Sequence, residues 1–192
     1  MHTPSNLDEA AGGGVTDSVA RVVSTALVLL DLDETLMSTS TLSEARHSKH
    51  PLDLAKLDAY ATVCLHDGVS DALERLASIA TLGIVSSSGR WYVDQLIAAH
   101  LPGFEFSVTV TYDDVEQIKP DPEPLVLALE RTGFDANRTV YIGDADVDYV
   151  ACIAAGIPFV GAGWADHPTF PSTATSVASP NDLVELVAGV RT

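Results

Sequence analysis

Short apolar runs alternate with segments of helical periodicity along most of this chain. The run Ala26–Leu30 is continuously apolar, which is typical of a strand buried on both faces. Apolar residues recur at helical spacing from Val69 onward, and the alternation continues to the end of the chain. The pattern predicts strands at 26–30, 82–85, 106–110, 140–142 and 159–161, and helices over 69–80, 93–100, 125–132, 147–154 and 183–187.

This alternation predicts an α/β fold, a three-layer Rossmann-like arrangement in which a mostly parallel sheet carries helices on both faces. The segment 38–66 interrupts the alternation and predicts a small helical cap insert above the sheet rim. Its residues Leu54, Leu57, Ala61 and Cys64 are spaced to share one helix face. The expected division is a loose polar leader at 1–25, an α/β core at 26–37 and 67–192, and the insert at 38–66.

The leader and the two cysteines bear on cellular location. Residues 1–25 have neither a basic start nor a long apolar stretch, so we do not expect a signal peptide. No run is long enough to span a membrane. Cys64 and Cys152 are far apart and are expected to be reduced, packed thiols. Together these features predict a cytoplasmic protein.

Charge narrows the range of partners. With 27 acidic and 10 basic residues, the chain has a formal net charge of −17. Such a surface repels nucleic acids and anionic membranes, so neither is an expected partner. It also disfavours long-range attraction of anionic ligands, so a site for an anion needs local positive charge. The histidines show no paired spacing suited to zinc.

Polar residues follow the predicted strands at their carboxyl ends, where open α/β sheets bind ligands. Asp31 and Asp33 follow the first strand, Ser86 the second and Asp144 the fourth, while a loop before the fourth strand contains Lys119. Burying carboxylates is costly unless a cation or a reacting group compensates them. Two carboxylates one residue apart at a buried strand end therefore indicate a metal ion, a reacting substrate or both.

One chemistry uses all the ionisable residues of this set. A carboxylate that attacks phosphorus approaches an anionic group, and a divalent cation and a lysine cancel the repulsion. A second group must protonate the leaving oxygen and later activate water. Asp31, Asp33, Lys119 and Asp144 match these requirements.

These residues resemble the motifs of the haloacid dehalogenase superfamily of phosphatases, in a phosphoglycolate phosphatase-like branch with a shortened cap. Asp31-x-Asp33-x-Thr35 is similar to the first motif and Ser86 to the second. Lys119-Pro120 is similar to the third motif, and Gly143-Asp144-x-x-x-Asp148 to the fourth. The resemblance covers about 26–187, with all four motifs in order at the expected strand ends.

The resemblance implies the catalytic and metal-binding roles. Asp31 attacks phosphorus and becomes an aspartyl phosphate, and Asp33 serves as general acid and then as general base. Mg²⁺ is held by Asp31, by the main-chain carbonyl of Asp33 and by Asp144, since oxygen ligands at a phosphoryl site suit magnesium better than zinc.

The resemblance also implies roles in phosphate binding and support. Ser86 hydrogen-bonds a phosphoryl oxygen, the Ser87 amide contacts phosphate, and Lys119 holds the phosphoryl group. Thr35 fixes the turn after the nucleophile, and Asp148 supports the Lys119 amine or the metal shell. Structural alternatives remain open for five of the site residues. The alternative roles are turn caps for Asp31 and Asp33, a solvated loop charge for Lys119, a helix cap for Asp144 and a helix surface position for Asp148.

The sequence departs from the family pattern at three places. Glu34 stands where many relatives have Gly, and its side chain is expected to point outward. The insert is much shorter than the helical caps of larger relatives. The run Ser86–Arg90 replaces a Thr-Asn-Lys type sequence, and Ser87 and Ser88 are expected to cap the next helix. Surface or packing roles are expected for several neighbours, with substrate contact as the alternative: Arg90, Trp91, His47, His50, His66 and Lys56.

The resulting functional hypothesis is a magnesium-dependent phosphatase that acts on a small phosphorylated metabolite. Relatives that break carbon–halogen bonds lack a carboxylate at the Asp33 position, which disfavours dehalogenation. A sugar-phosphate phosphomutase and a non-catalytic binding module are the alternatives, and a homo-oligomer is possible. The sequence leaves the substrate open among sugar phosphates, phosphoglycolate, nucleotides and biosynthetic intermediates.

Overall fold

The computed structural model of the protein describes residues 25–46, 48 and 50–189. The expected leader lies outside the described residues, except for Thr25. Eight strands are present in the described part of the chain: β1 Leu27–Leu30, β2 Met37–Ser38, β3 Cys64–Leu65, β4 Thr81–Val85, β5 Val108–Val110, β6 Thr139–Gly143, β7 Phe159–Ala162 and β8 Ser176–Val177.

Six of these strands form one parallel sheet in the order β5-β4-β1-β6-β7-β8. The central strand β1 pairs with β4 on one side and β6 on the other, so Leu29 aligns with Gly83 and with Tyr141. All four residues of β1 are buried, as the continuous apolar run predicts for a strand covered on both faces.

Helices cover both faces of the sheet. Six α-helices lie in the described part: α1 Ser43–Arg46, α2 Val69–Ala77, α3 Arg90–His100, α4 Glu123–Thr132, α5 Asp146–Ala155 and α6 Pro180–Val187. Apolar residues of α2, α3 and α6 pack with Val28 and Leu30 of β1, whereas α4 and α5 pack with Leu27 and Leu29. The alternating side chains of one strand therefore enter two separate cores, which confirms the predicted three-layer α/β fold.

Local signals fix the ends of several helices. Pro124 lies in the first turn of α4, and the helix ends at Gly133, whose φ of 72° is readily adopted only by glycine. Helix α6 begins earlier than its apolar pattern indicates, because the Ser179 hydroxyl accepts a hydrogen bond from the Asp182 amide at 3.2 Å. Strand β8 is only two residues long and was not predicted.

The insert differs from the predicted helical cap. It contains the single turn α1 and three short 3₁₀ helices at Ser40–Leu42, Leu54–Lys56 and Asp58–Thr62. Extended backbone at Leu57 and Val63 interrupts the helical pattern, so the predicted common helix face does not form. Cys64 lies instead in β3, which pairs antiparallel with β2 at the base of the insert. Its side chain is exposed, which corrects the prediction of a packed thiol, whereas Cys152 is buried as predicted.

The turn after β1 has an unusual residue at its tightest point. Glu34 has a φ of 62°, in the left-handed region that residues other than glycine rarely adopt. The prediction that its side chain points outward is wrong. The Glu34 carboxylate accepts hydrogen bonds from the amide of Thr39 at 2.8 Å and from the Thr39 hydroxyl at 3.2 Å. The Nε2 atom of His66 lies 2.7 Å from the Glu34 carbonyl oxygen. These contacts hold the turn against both connections to the insert.

Replacing Glu34 separates backbone strain from these side-chain contacts. Glu34→Ala and Glu34→Gly both remove the hydrogen bonds to Thr39, but only alanine retains a Cβ at positive φ. We expect the free energy of unfolding of Glu34→Ala to lie about 1 kcal/mol below that of Glu34→Gly. Urea unfolding of both variants without metal measures the difference, and equal stabilities would contradict a strained backbone at this position.

Candidate active site

The strand order brings the predicted site residues to one rim. Because β1 lies between β4 and β6, the carboxyl ends of these strands are adjacent. Asp31, Ser86 and Asp144, which follow the three strands, are all buried there. The same rim receives Lys119 from the loop after β5, and this residue precedes a cis peptide bond to Pro120.

Lys119 is the centre of a buried polar network. Its ammonium group lies 2.6 Å from Asp31 Oδ1 and 2.7 Å from Asp148 Oδ1. It also donates hydrogen bonds to the Tyr141 hydroxyl at 2.7 Å and to the carbonyl of Val85 at 3.1 Å. Burial alone would lower the pKa of Lys119, but the charges of Asp148 and Asp31 together outweigh burial and raise it. Lys119 therefore stays cationic, and its predicted alternative as a solvated loop charge is wrong.

Asp31 has one oxygen engaged and one available. Lys119 binds Oδ1, and no described residue donates a hydrogen bond to Oδ2, although Asp31 lines the cleft above the rim. Burial raises the pKa of Asp31 well above its usual range, Lys119 opposes this, and the nearby carboxylates of Asp148, Asp144 and Asp33 add to the rise. A further positive charge in the cleft would relieve this repulsion.

Three carboxylates are close enough to share one cation. Oxygen atoms of Asp31, Asp144 and Asp148 all lie within 4.8 Å of one another. The Thr35 hydroxyl donates to Asp144 Oδ1 at 2.8 Å, which orients that carboxylate. Burial raises the pKa of Asp144 to about 6, and the hydrogen bond from Thr35 opposes the rise.

Asp148 faces Lys119 from the first turn of α5. Its Oδ2 accepts from the amide of Ala145 at 3.1 Å, and its Oδ1 accepts from Tyr141 at 3.2 Å in addition to the ion pair with Lys119. A Cβ at Gly143 would collide with the Asp148 side chain, so this approach requires glycine at the end of β6. Asp144 does not cap α5, and Asp146 is exposed at the start of that helix.

Asp33 is held by hydroxyl groups from three parts of the chain. Thr39 and Tyr92 each donate to Oδ1 at 2.8 Å, and Ser88 donates to Oδ2 at 2.7 Å. Ser86 lies farther away, with its hydroxyl 3.5 Å from Oδ2. Burial and the charge of Asp33 raise the pKa of Tyr92, so the phenol stays protonated and remains a donor.

The predicted capping roles of Ser87 and Ser88 are wrong. Gly89 precedes α3 without a side-chain cap, and the first amide of the helix, that of Arg90, donates instead to Asp113 at 2.6 Å. Because the Asp113 carboxylate already occupies this position, Ser88 can turn to Asp33. The Ser87 hydroxyl is buried without a hydrogen-bond partner in the described part of the chain, and Ser87 lines the cleft.

Sequence reasoning did not identify Tyr92, Tyr141 or Thr39. Tyr92 and Tyr141 occupy apolar positions of a helix and a strand, where the hydrophobic pattern predicts packing alone. The Asp33-x₅-Thr39 spacing gave no signal, since the chain reverses between the two residues. Only the folded arrangement reveals that these hydroxyls reach charged groups.

The cleft above the rim has a volume of about 720 Å³. Trp91 lines it, whereas Arg90 pairs with Asp114 at 2.5 Å and is not among its lining residues. His50 is exposed, Lys56 pairs with Asp53 at 2.8 Å, and His47 lies outside the described residues. The cleft is large enough for a small-molecule ligand.

A parallel sheet with these aspartates, a serine and a buried lysine at one rim defines the haloacid dehalogenase-like class of α/β proteins. The family model described as haloacid dehalogenase-like hydrolase matches residues 52–162, more than half of the chain. The chain belongs to this family. The match includes Ser86, Lys119, Asp144 and Asp148 and begins after Asp31 and Asp33.

Curated relatives resemble part of the chain. It is 39% identical over 103 residues to a phosphoglycolate phosphatase of Xanthomonas campestris, an alignment that covers 52% of this chain and 46% of the relative. It is 38% identical over 94 residues to a phosphoglycolate phosphatase of Escherichia coli, covering 48% and 37% respectively. The chain thus spans less than half the length of these relatives.

Solved structures agree with the fold. A HAD-superfamily hydrolase from Geobacter sulfurreducens superposes with a TM-score of 0.67 at 18% identity, covering 84% of this chain and 96% of that one. CbbY from Rhodobacter sphaeroides, solved in complex with phosphate, gives a TM-score of 0.62 at 19% identity, covering 83% and 96%. At these identities the likeness concerns the fold. Within residues 25–46, 48 and 50–189, no helix has the length and hydropathy needed to cross a membrane.

Removing the Tyr92 hydroxyl tests how strongly Asp33 is held. In Tyr92→Phe the buried Asp33 carboxylate loses one donor, so we expect a loss of about 1.5–3 kcal/mol in the free energy of unfolding. Tyr60→Phe is the matched control, because no described residue hydrogen-bonds its hydroxyl. Denaturant unfolding compares the variants, and equal losses would show that the bond to Asp33 stabilises nothing.

The raised pKa of Asp144 predicts how metal binding depends on pH. A carboxyl whose pKa rises on folding binds its proton more tightly in the folded state, so its contribution to stability falls as the pH rises from about 4 through about 6. Mg²⁺ requires the deprotonated form, so we expect it to raise the melting temperature far more at about pH 7.5 than at about pH 5.

The control for this measurement is Asp144→Asn, which removes both the titrating group and one carboxylate of the cluster with Asp31 and Asp148. We expect Mg²⁺ to leave its melting temperature nearly unchanged at both pH values. A wild-type shift of the same size at both pH values would exclude Asp144 as the group that couples protonation to metal binding.

Proposed function

We propose that the protein is a magnesium-dependent phosphatase that hydrolyses a small phosphomonoester through an aspartyl phosphate on Asp31. The observation that carries this proposal is the buried ion pair of Lys119 with Asp31 at a cleft, where no described residue donates a hydrogen bond to the other oxygen, Asp31 Oδ2. A carboxylate that is oriented by an ammonium group and open on its other oxygen is suited to nucleophilic attack.

The reaction has two steps that regenerate the protein. Asp31 Oδ2 attacks phosphorus, the bond between phosphorus and the leaving oxygen breaks, and that oxygen takes a proton from Asp33. Asp33 then removes a proton from a water molecule that attacks the aspartyl phosphate. The phosphorus–Asp31 bond breaks, phosphate leaves, and both carboxyl groups return to their starting states.

The phosphoryl oxygens have candidate donors around Asp31. Lys119 offsets their charge, and Ser86 donates a hydrogen bond. Ser87 lines the cleft, and its buried hydroxyl has no hydrogen-bond partner among the described residues. This supports phosphate binding at this point, since such a group is costly unless a ligand satisfies it. Thr35 and Asp148 act as support, because they orient Asp144 and Lys119 respectively.

The residues present fit a magnesium ion. Carboxylate oxygens are the hard ligands that Mg²⁺ prefers, and Asp31 and Asp144 contribute such oxygens from one cluster. The main-chain carbonyl of Asp33 is the third proposed ligand. Asp148 belongs to the same cluster, but its contacts with Lys119, Tyr141 and Ala145 favour a supporting role. When bound, the cation neutralises charge on the phosphoryl group and on the attacking carboxylate.

The substrate class follows from the relatives and from the cleft. The Xanthomonas and Escherichia relatives are named phosphoglycolate phosphatases, and one structure of CbbY contains xylulose-(1,5)bisphosphate. Small phosphorylated metabolites are therefore the first compounds to test, with phosphoglycolate among them. A cytoplasmic location and the absence of nucleic acid and membrane partners stay predictions, as does a homo-oligomer.

Asp31→Asn tests the proposed function directly. An amide cannot form the covalent intermediate, so we expect turnover of p-nitrophenyl phosphate to fall by roughly three orders of magnitude or more. Asp146→Asn is the matched control, because it removes an exposed carboxylate at the same rim and should retain activity. Chelation should abolish wild-type turnover, and added Mg²⁺ should restore it.

Other outcomes identify other functions. Isomerised sugar phosphate with little free phosphate would indicate a phosphomutase. Equal, negligible rates for wild type and Asp31→Asn on a broad panel of phosphate esters would favour a non-catalytic binding module and overturn the proposal.

A further inference from the structure

One cationic side chain of the cleft has no role in the reaction described above. Arg46, the last residue of α1, contributes to the cleft from the insert and keeps 29% of its side chain exposed. Lys119 is the other cation that lines the cleft, and both of its carboxylate partners lie within 2.7 Å. Arg46 is therefore the cleft's available positive charge in the described part of the chain.

The contacts of Arg46 do not explain its position. Its Nη1 atom lies 3.6 Å from Asp33 Oδ1, beyond the 2.7–2.9 Å that is usual for charge-assisted hydrogen bonds. Asp33 does not depend on it, since Thr39, Ser88 and Tyr92 already donate to both carboxylate oxygens. No other contact of the guanidinium is found among the described residues, so most of its five N–H donors remain for a ligand.

Away from Lys119 at the floor of the cleft, the surrounding charge favours an anionic group only beside Arg46. Six carboxylates line the cleft against two cations: Asp31, Asp33, Glu34, Asp113, Asp144 and Asp148. A divalent ion held by Asp31 and Asp144 would neutralise the transferred phosphoryl group and would not be available to a second anionic group. A second anionic group on the substrate would be repelled elsewhere in the cleft, whereas beside Arg46 it meets a planar donor fork that suits carboxylate and phosphate.

The position of Asp33 indicates which part of a substrate would lie beside Arg46. If Asp33 protonates the leaving oxygen, then a guanidinium beside the Asp33 carboxylate lies next to the leaving group. We propose that Arg46 selects phosphomonoesters whose leaving group carries a second anionic group, a carboxylate or another phosphate, a few bonds from the ester oxygen. This inference rests on the proposed phosphatase function and adds a specificity-determining residue to it.

Matched substrates test the inference. The first pair is phosphoglycolate and its analogue of nearly the same size in which a neutral carboxamide replaces the carboxylate. The second pair is propane-1,3-diol bisphosphate and the corresponding monophosphate, which distinguishes a second phosphate from a carboxylate. We expect wild type to have the higher kcat/KM, in at least one pair, for the member that carries the second anionic group.

Arg46→Gln should remove that preference. We expect kcat/KM for the preferred substrate to fall roughly 10- to 100-fold, mainly through KM. For the partner substrate, which lacks the second anionic group, we expect kcat/KM to change less than about threefold. Arg46→Lys keeps the charge without the fork and should give an intermediate loss. Arg75→Gln, which removes an arginine paired with Glu185 away from the cleft, is the control and should match wild type.

The failures are distinguishable. Equal losses for both members of a pair would show that Arg46 acts through Asp33, and no loss for either member would show that it has no role; each result overturns the inference. In both cases Mg²⁺-dependent release of phosphate from p-nitrophenyl phosphate by wild type would leave the phosphatase function standing. Thermal unfolding of Arg46→Gln and Arg46→Lys confirms that the compared variants are folded.

Discussion

The buried ion pair of Lys119 with Asp31 and Asp148 is the interaction on which the rest of this site depends. An ammonium group in the protein interior is unfavourable unless opposite charges and hydrogen-bond acceptors surround it. Here two carboxylates, a phenol and a main-chain carbonyl provide that environment, and they come from four different elements. The same contacts that make a buried lysine tolerable fix Asp31 in one orientation. Structural stability and the proposed chemistry therefore depend on one set of atoms.

A second constraint is that Asp33, the acid/base candidate, is bound to the insert and to the region of α3, and not only to the turn after β1. Asp33 receives hydrogen bonds from Thr39 at the entry to the insert and from Ser88 and Tyr92 near α3. Glu34, with its left-handed backbone, joins the same turn to Thr39 and His66. A change in the position of the insert would therefore alter the surroundings of Asp33. The short insert contributes polar contacts to the site although it contains no helix longer than five residues in its described part.

Charge explains why the site needs cations. The whole chain carries −17, and at the rim burial and, to a smaller extent, neighbouring carboxylates raise the pKa of Asp31 and Asp144. An anionic ligand can enter such a cleft only where positive charge is local. Lys119 provides it at the floor and Arg46 on the insert side, while Asp31 and Asp144 belong to a carboxylate cluster that is compact enough for one cation. Under the proposed function, the positions of these few positive charges determine where the cleft accepts the anionic groups of a substrate.

The sequence by itself determined the layered α/β fold, five of the strands and the residues at their carboxyl ends, because apolar periodicity is a property of the chain over short distances. It identified Asp31, Asp33, Ser86, Lys119, Asp144 and Asp148 as one set, and the strand order β4-β1-β6 brings these residues to the same rim. Only the tertiary structure decided that Ser88 and Tyr92 bind Asp33, that Asp113 takes the capping position at α3, and that the insert folds as 3₁₀ turns. Those outcomes depend on contacts between residues far apart in the chain, where competing partners for the same hydrogen-bonding group can be compared only after folding.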